Sequence, residues 1–100
     1  MKPPHEQLLQ LDRVIHEPAR LAILTILAAA QEVGFRYLES STRLTKGNLS
    51  SHMSRLEAAG YVEILKAFQG KTPVTSYRMT PEGRKALKAY RLQLLSGLEG

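Results

Sequence analysis

The spacing of apolar residues divides the chain into helices and one hairpin. Leu8, Leu11 and Ile15, with Leu9 beside them, recur at helical spacing over about 6–16, behind a short stretch, 1–4, that looks frayed. Glu17-Pro18 interrupts this stripe, and Pro18 suits the first turn of a new helix, where its missing N–H costs nothing. Ile23, Ile26, Leu27 and Ala30, flanked by Leu21 and Leu24, give a broad apolar face over about 18–30, as expected of a central core helix. Val33-Gly34-Phe35 reads as a one-bridge strand. A short helix over about 36–42 would then bury Tyr37 and Leu38.

Beyond the link Arg43-Leu44, Thr45 is a good N-cap for a helix over about 46–59, and Gly60 fits the left-handed position after its end. Tyr61–Phe68 and Val74–Met79 are rich in β-formers and partly alternate, with a turn at Gln69–Pro73. Thr80-Pro81 is a second cap signature. It opens a last helix over about 81–97 with Leu87, Tyr90, Leu94 and Leu98 on one stripe. The order predicts a single domain, mainly α with a small β-hairpin wing over about 66–79. It is a winged helix-turn-helix with helices at both termini, and it has too few strands for a βαβ or sandwich fold.

The helix over 46–59 has two unlike faces. At about 100° per residue, Met53, Leu56 and Gly60 fall near Leu49 and form a core side. Gly47, Ser51, Ser54 and Ala58 point away, with Asn48 and Arg55 on the shoulder, Ser50 and His52 on the flanks and Lys46 in the first turn. A polar face is ordinary, but a surface helix normally favours Glu and Lys over Gly and Ser for propensity. Asn pairs with adenine, Arg and Lys pair with guanine, and Ser meets several base edges. Gly47 would let the backbone come close to DNA. The expected base-reading residues are therefore Lys46, Gly47, Asn48, Ser51 and Arg55. Backbone contacts are expected from Thr45, Ser50, His52, Lys66, Lys71, Thr72 and Arg78, with Lys71 at the wing tip.

Charge placement agrees with that reading. The net charge is +5, made of −1 over residues 1–42, +4 over 43–80 and +2 over 81–100. A local basic excess suits a polyanion partner. The chain has no cysteine, which excludes disulfides, thiolate metal sites and a cysteine nucleophile. His5, His16 and His52 lack metal-ligand spacing, and His16 is read as a cap or a packed side chain. Arg20 is read as a structural ion-pair partner of Glu17 or Glu57, with phosphate contact as the other option. There is no P-loop, Gly-x-Ser-x-Gly, His-Glu-x-x-His or dinucleotide fingerprint, so no enzyme and no cofactor are expected. No signal-peptide core or membrane-length apolar run is present, and cytoplasmic retention is the expectation.

Leu49-Ser50-Ser51-His52-Met53, three residues, then Glu57-Ala58-Ala59-Gly60-Tyr61-Val62 resembles the reading-helix signature of ArsR/MarR-type winged-helix transcriptional regulators. Lys66, Gly70, Pro73, Thr75, Tyr77, Thr80, Pro81 and Gly83 resemble that family's wing and its exit. Pro18-Ala19-Arg20-Leu21-Ala22-Ile23-Leu24 is similar to its opening helix. The resemblance implies base-facing positions at Lys46, Gly47, Asn48 and Ser51. Ser51 is smaller than the basic or aromatic residue of many relatives, and the cysteine motif of the metal-sensing branch is absent.

The terminal helices carry more apolar surface than one small domain can bury. Leu8, Leu9, Leu11, Leu87, Tyr90, Leu94, Leu95 and Leu98 are therefore expected at a homodimer interface, beside Leu92. The expected partners are double-stranded DNA and a second copy, with no membrane. The expected function is a dimeric, sequence-specific DNA-binding transcriptional regulator, most simply a repressor. The alternative is a winged-helix protein-interaction module that reads no bases. A ligand-responsive form would add a small-molecule effector pocket at the dimer interface, for which the sequence offers no distinctive residues.

Overall fold

A computed structural model describes residues 2–100. The elements run α1 (Pro4–Leu9), α2 (Pro18–Ala28), β1 (Val33–Gly34), α3 (Phe35–Thr42), α4 (Lys46–Ala58), β2 (Val62–Gln69), β3 (Thr72–Met79) and α5 (Pro81–Glu99). The sheet is antiparallel in the order β1-β3-β2, with Val33 opposite Tyr77 and Val62 opposite Met79. This is the expected winged helix. The core gathers Ile23, Leu24 and Leu27 of α2, Leu38 of α3, and Leu49, Met53 and Leu56 of α4. Val62, Tyr77 and Met79 of the hairpin join them. The molecule measures 55 × 25 × 21 Å, its length set largely by the 19-residue α5.

The first helix differs from the expected 6–16 span. Of the stretch expected to be frayed, Met1 lies outside the described residues, and Pro4 is already helical. The helix then stops at Leu9 because Asp12 Oδ1 accepts from the amides of Val14 at 2.9 Å and Ile15 at 3.3 Å. An aspartate that binds nearby backbone N–H groups offers the chain an alternative to helix. Leu11 and Ile15 reach the core from this turn rather than along a helical stripe. Tyr37 also differs from expectation, being 60% exposed while its neighbour Leu38 is fully buried. Leu38 is the fully buried residue of the eight-residue α3, and Phe35 packs partly buried against the core.

Glycine and cap chemistry set the other boundaries. Gly60 has φ +81°, and the amides of Gly60 and Tyr61 close back on the carbonyls of Glu57 and Leu56. These two bonds form a Schellman stop, which needs a left-handed residue at that position. The hairpin turn is tighter than expected. Gly70-Lys71 alone links the strands, so Gln69, Thr72 and Pro73 lie in the ladder. Gly70 has φ +67° and Lys71 does not share its sign, the pattern of a type II′ turn. Pro73 is tolerated because the two-residue β1 does not extend to it, leaving that edge of β3 unpaired.

One buried arginine joins α2, α4 and the Asp12 turn. Arg20 Nε donates to the Val14 carbonyl at 2.6 Å, and its Nη1 lies 3.1 Å from His52 Nδ1 on α4. Glu17 Oε2 is 3.7 Å from Arg20 and 3.4 Å from His52. The Glu17 carboxylate also caps α2, accepting from the amides of Ala19 at 2.6 Å and Arg20 at 3.4 Å. Burial by itself would raise the carboxyl's pKa. The two amide bonds, with His52 and Arg20 beside it, outweigh that and hold it below its ordinary 4.5.

Two stability outcomes follow. A Cβ at Gly83 would stand 2.2 Å from the backbone oxygen of Tyr61, whereas one at Gly97 would meet the end of the Leu8 side chain at 2.6 Å. In urea unfolding, Gly83→Ala is expected to cost about 2–3 kcal/mol, as overpacking against rigid backbone does. Gly97→Ala is expected to cost far less, because Leu8 can yield and helix propensity rises by about 1 kcal/mol. Glu17→Gln is expected to destabilise at pH 7 by about 1 kcal/mol, the worth of a helix cap. A carboxyl with a depressed folded pKa contributes fully above the unfolded value and loses that contribution as pH falls through the folded one. The gap between wild type and Glu17→Gln should therefore be full at pH 6 and narrow steadily below the ordinary 4.5.

Candidate nucleic-acid interface

The outer face of α4 is open along its length. Thr45 Oγ1 accepts from the Asn48 amide at 3.1 Å and starts the helix as an N-cap. Leu49, Met53 and Leu56 are inside, each essentially without exposed surface. Lys46, Gly47, Asn48, Ser50, Ser51 and Arg55 are all exposed. Nothing lies within 4 Å of where a Cβ on Gly47 would stand, so no contact within the chain demands glycine there. His52 is half-buried, and its Nδ1 is turned to Arg20 and Glu17. It locks α4 against α2, and that ring nitrogen is not turned outward.

The wing stands beside this face. Lys66, Lys71 and Thr72 are exposed, Lys71 in the tip turn and Lys66 opposite Thr75. Arg78 has a partner within the hairpin. It sits at the base of the hairpin opposite Glu63, with Nη2 2.7 Å from the Glu63 carboxylate, and that bond raises the guanidinium's pKa. A phosphate there would have to displace Glu63, so Arg78 brings little net charge to the wing.

Among the described residues Arg20–Glu17 and Arg78–Glu63 are ion pairs, and His52 Nδ1 lies 3.4 Å from the Glu17 carboxylate. Lys46, Arg55, Lys66 and Lys71 enter none of them. Arg43 holds φ +59° at the end of α3, where its exposed side chain flanks the start of α4. Arg36 and Tyr37 line an open groove of about 520 Å³ between α3 and the wing. Arg20 takes its expected structural role. His16 packs on Tyr90, with Nδ1 2.7 Å from the phenol oxygen.

The terminal helices divide the expected interface set. Leu11, Leu87 and Tyr90 are buried in the chain's own core, at 6%, 3% and 3% exposure, and so are not part of an outward face. They belong to the same core cluster as Ile15 and the inner residues of α2 and α4. Leu8 and Leu94 are half-buried. Gln7 Nε2 donates to Ser96 Oγ at 2.9 Å across the contact of α1 with α5. Leu9, Leu92, Leu95 and Leu98 remain outside, at 73%, 62%, 56% and 66% exposure.

Arg13 and Tyr61 are positions that sequence reasoning passed over. Tyr61 OH donates to the Asp12 carboxylate, which, with burial, pushes the phenol up to about 12. That bond ties the exit of α4 to the turn carrying Arg13. The signal in the sequence was Asp12 itself, an amide-capturing residue set inside an apparent helical stripe. No described helix is long and apolar enough to cross a membrane.

A family model described as a winged helix DNA-binding domain matches residues 19–97. An uncharacterized protein of Methanocaldococcus jannaschii is 32% identical over 83 residues, covering 83% of this chain and 90% of that one. The transcriptional regulator homologue from Pyrococcus horikoshii OT3 superposes with a TM-score of 0.87 at 26% identity, over 97% of this chain and 95% of that one. A Bacillus cereus protein described as a MarR-like transcription regulator has the same fold. Its TM-score is 0.69 at 20% identity, over 95% of this chain and 70% of that one. The family match over most of the chain, on the fold described above, establishes that the chain belongs to the winged helix DNA-binding domain family.

Proposed function

We propose that the protein binds specific DNA sequences as a homodimer and acts as a transcriptional repressor. In this reading α4 enters the major groove, with Lys46, Asn48 and Ser51 at base edges and Gly47 close to the DNA. Thr45, Ser50, Lys66, Lys71 and Thr72 meet the backbone, and the wing lies along it or in the adjacent minor groove. The observation that carries the reading is the empty space in front of Gly47. Glycine in a helix costs about 1 kcal/mol against alanine, and no contact within the chain requires it. A surface that must come close to another molecule supplies the reason.

The dimer is supported by Leu9 of α1 and Leu92, Leu95 and Leu98 of α5, large apolar side chains left exposed on helices that pack on each other. Two-fold pairing there would set the two reading helices about one DNA turn, roughly 34 Å, apart on a near-palindromic site. Occupation of successive major grooves would exclude other proteins from that stretch, the simplest mode of repression.

Selection from random duplex, followed by sequencing, should return a two-fold symmetric consensus. No enrichment at low salt would sink the reading and favour a protein-interaction module. On the selected site, Lys46→Ala with Asn48→Ala should lose about 1–3 kcal/mol per bidentate base contact. Gly47→Leu should fold at least as stably as wild type and yet bind the site at least tenfold more weakly. Leu95→Glu with Leu98→Glu should shift the protein to a monomer in light scattering and weaken binding to the full site more than to a half-site. A variant that stays dimeric would move the interface elsewhere.

A further inference from the structure

An open cavity of about 500 Å³ lies between the Arg13–Val14 turn and the C-terminal half of α4. It is lined by Arg13, Val14, Arg20, Arg55, Ala58 and Ala59, three arginines and no acid. Arg20 is its buried member, and with Nε on the Val14 carbonyl and Nη2 3.5 Å from that of Arg13 it fixes the turn that presents Arg13. Two carboxylates beside it, Glu17 and Asp12, are already engaged. Glu17 caps α2, and Asp12 accepts from Val14, Ile15 and Tyr61. The carbonyls of Arg55, Leu56 and Glu57, the negative end of α4, are closed by the amides of Ala59, Tyr61 and Gly60. Arg13 and Arg55 are exposed and enter none of the ion pairs found among the described residues.

The pocket also continues the Asn48–Arg55 shoulder of α4. At about 100° per residue, Asn48, Arg55 and Ala59 share one side of the helix, and Ala59 stands roughly 16 Å along the axis from Asn48. The major groove is about 12 Å wide. A helix whose first turn reaches base edges therefore has its last turn at the groove's rim, where the phosphates are.

We propose that Arg13 and Arg55, over Arg20, form a binding site for a phosphate-type oxyanion, filled by a backbone phosphate at the rim of the groove that α4 enters. That source rests on the DNA-binding reading above, and a free oxyanion ligand is the other source of the same chemistry. Exposed guanidinium groups suit the planar, two-pronged recognition of phosphate. The proposal moves Arg55 from base edges to the backbone and gives Arg13 a role.

Two measurements on the full chain test it. The first is the salt dependence of duplex binding for wild type, Arg13→Gln, Arg55→Gln and Lys88→Gln, the last an exposed cation on α5 outside the pocket. Each pocket variant should flatten the slope of log affinity against log salt by about 0.9, the value of one phosphate contact, and Lys88→Gln should leave it unchanged. The second titrates DNA-free protein with inorganic phosphate and follows the arginine Nε–H NMR signals. Flattened slopes without a saturable shift assign the site to backbone phosphate. A saturable shift of the Arg55 signal that Arg13→Gln abolishes adds a free oxyanion as occupant. Unchanged slopes in both pocket variants together with no saturable shift overturn the site. If the wild type binds no duplex at all, the DNA reading fails separately and the titration alone decides the pocket: a saturable shift sustains it and no shift overturns it.

Discussion

The Arg20 guanidinium is the buried charged side chain among the described residues, at the junction of α2, α4 and the Asp12 turn, and the placement of α4 depends on it. A buried charge is tolerated only when its donors are met. Here the Val14 carbonyl, His52 and Glu17 meet them, and each belongs to a different part of the chain. The consequence is directional. Apolar packing of Leu49, Met53 and Leu56, at about 1.5–3 kcal/mol per buried side chain, holds α4 down on the core. It leaves the helix free to roll or slide by small amounts. The Arg20–His52 contact removes that freedom on one flank, and the Schellman stop with the Tyr61–Asp12 bond removes it at the end.

The same constraint explains why α4 can carry so little on its outer side. Its inner face and flank supply the stability, so Gly47, Ser50, Ser51 and Ser54 need not contribute propensity or packing. The stop at Gly60 delivers the chain directly into β2, and Thr80 returns the hairpin to the same place. The Thr80 amide donates to the Tyr61 carbonyl at 3.0 Å, and its hydroxyl donates to the Gly60 carbonyl at 2.5 Å. Gly83 then lets α5 start against that carbonyl without a clash. Reading helix, wing and terminal helix thus radiate from one small knot around residues 60–61, 80 and 83.

Most of this was legible in the sequence because it is written in local chemistry. Thr45, Gly60 and Thr80-Pro81 mark helix ends through caps and a left-handed turn, which depend on neighbours alone. The 3.6-residue period placed Leu49, Met53 and Leu56 inside. What was not legible depended on competition or on distant partners. The stripe Leu8–Leu11–Ile15 is helical in period, yet Asp12 captures two amides and breaks the helix, a contest that periodicity does not register. Leu87 and Tyr90 share a helical stripe with Leu94 and Leu98, and period alone does not tell the part of a stripe that meets the chain's own core from the part left outside. Arg78 looked free because Glu63 is its neighbour only across the ladder. Arg13 was passed over because nothing nearby in sequence shows that it shares a cavity with Arg55.

The small side chains of α4 bear on how specificity would arise in the proposed complex. Lys46 and Asn48 are the residues on the outer face best able to pair a base edge in two places once Arg55 is assigned to the backbone. One copy would then distinguish only a few base pairs, with Ser51 adding little. Each mismatched pair costs about 1–3 kcal/mol, so a single domain would discriminate weakly among the many sites of a genome. Pairing through the Leu9–Leu92–Leu95–Leu98 patch would double the number of base pairs read and require the two sets to lie at a fixed spacing. Small side chains on the outer face of α4 and leucines left exposed on the terminal helices would therefore be complementary features. In this protein, specificity would come from adding a second copy rather than from enriching the first.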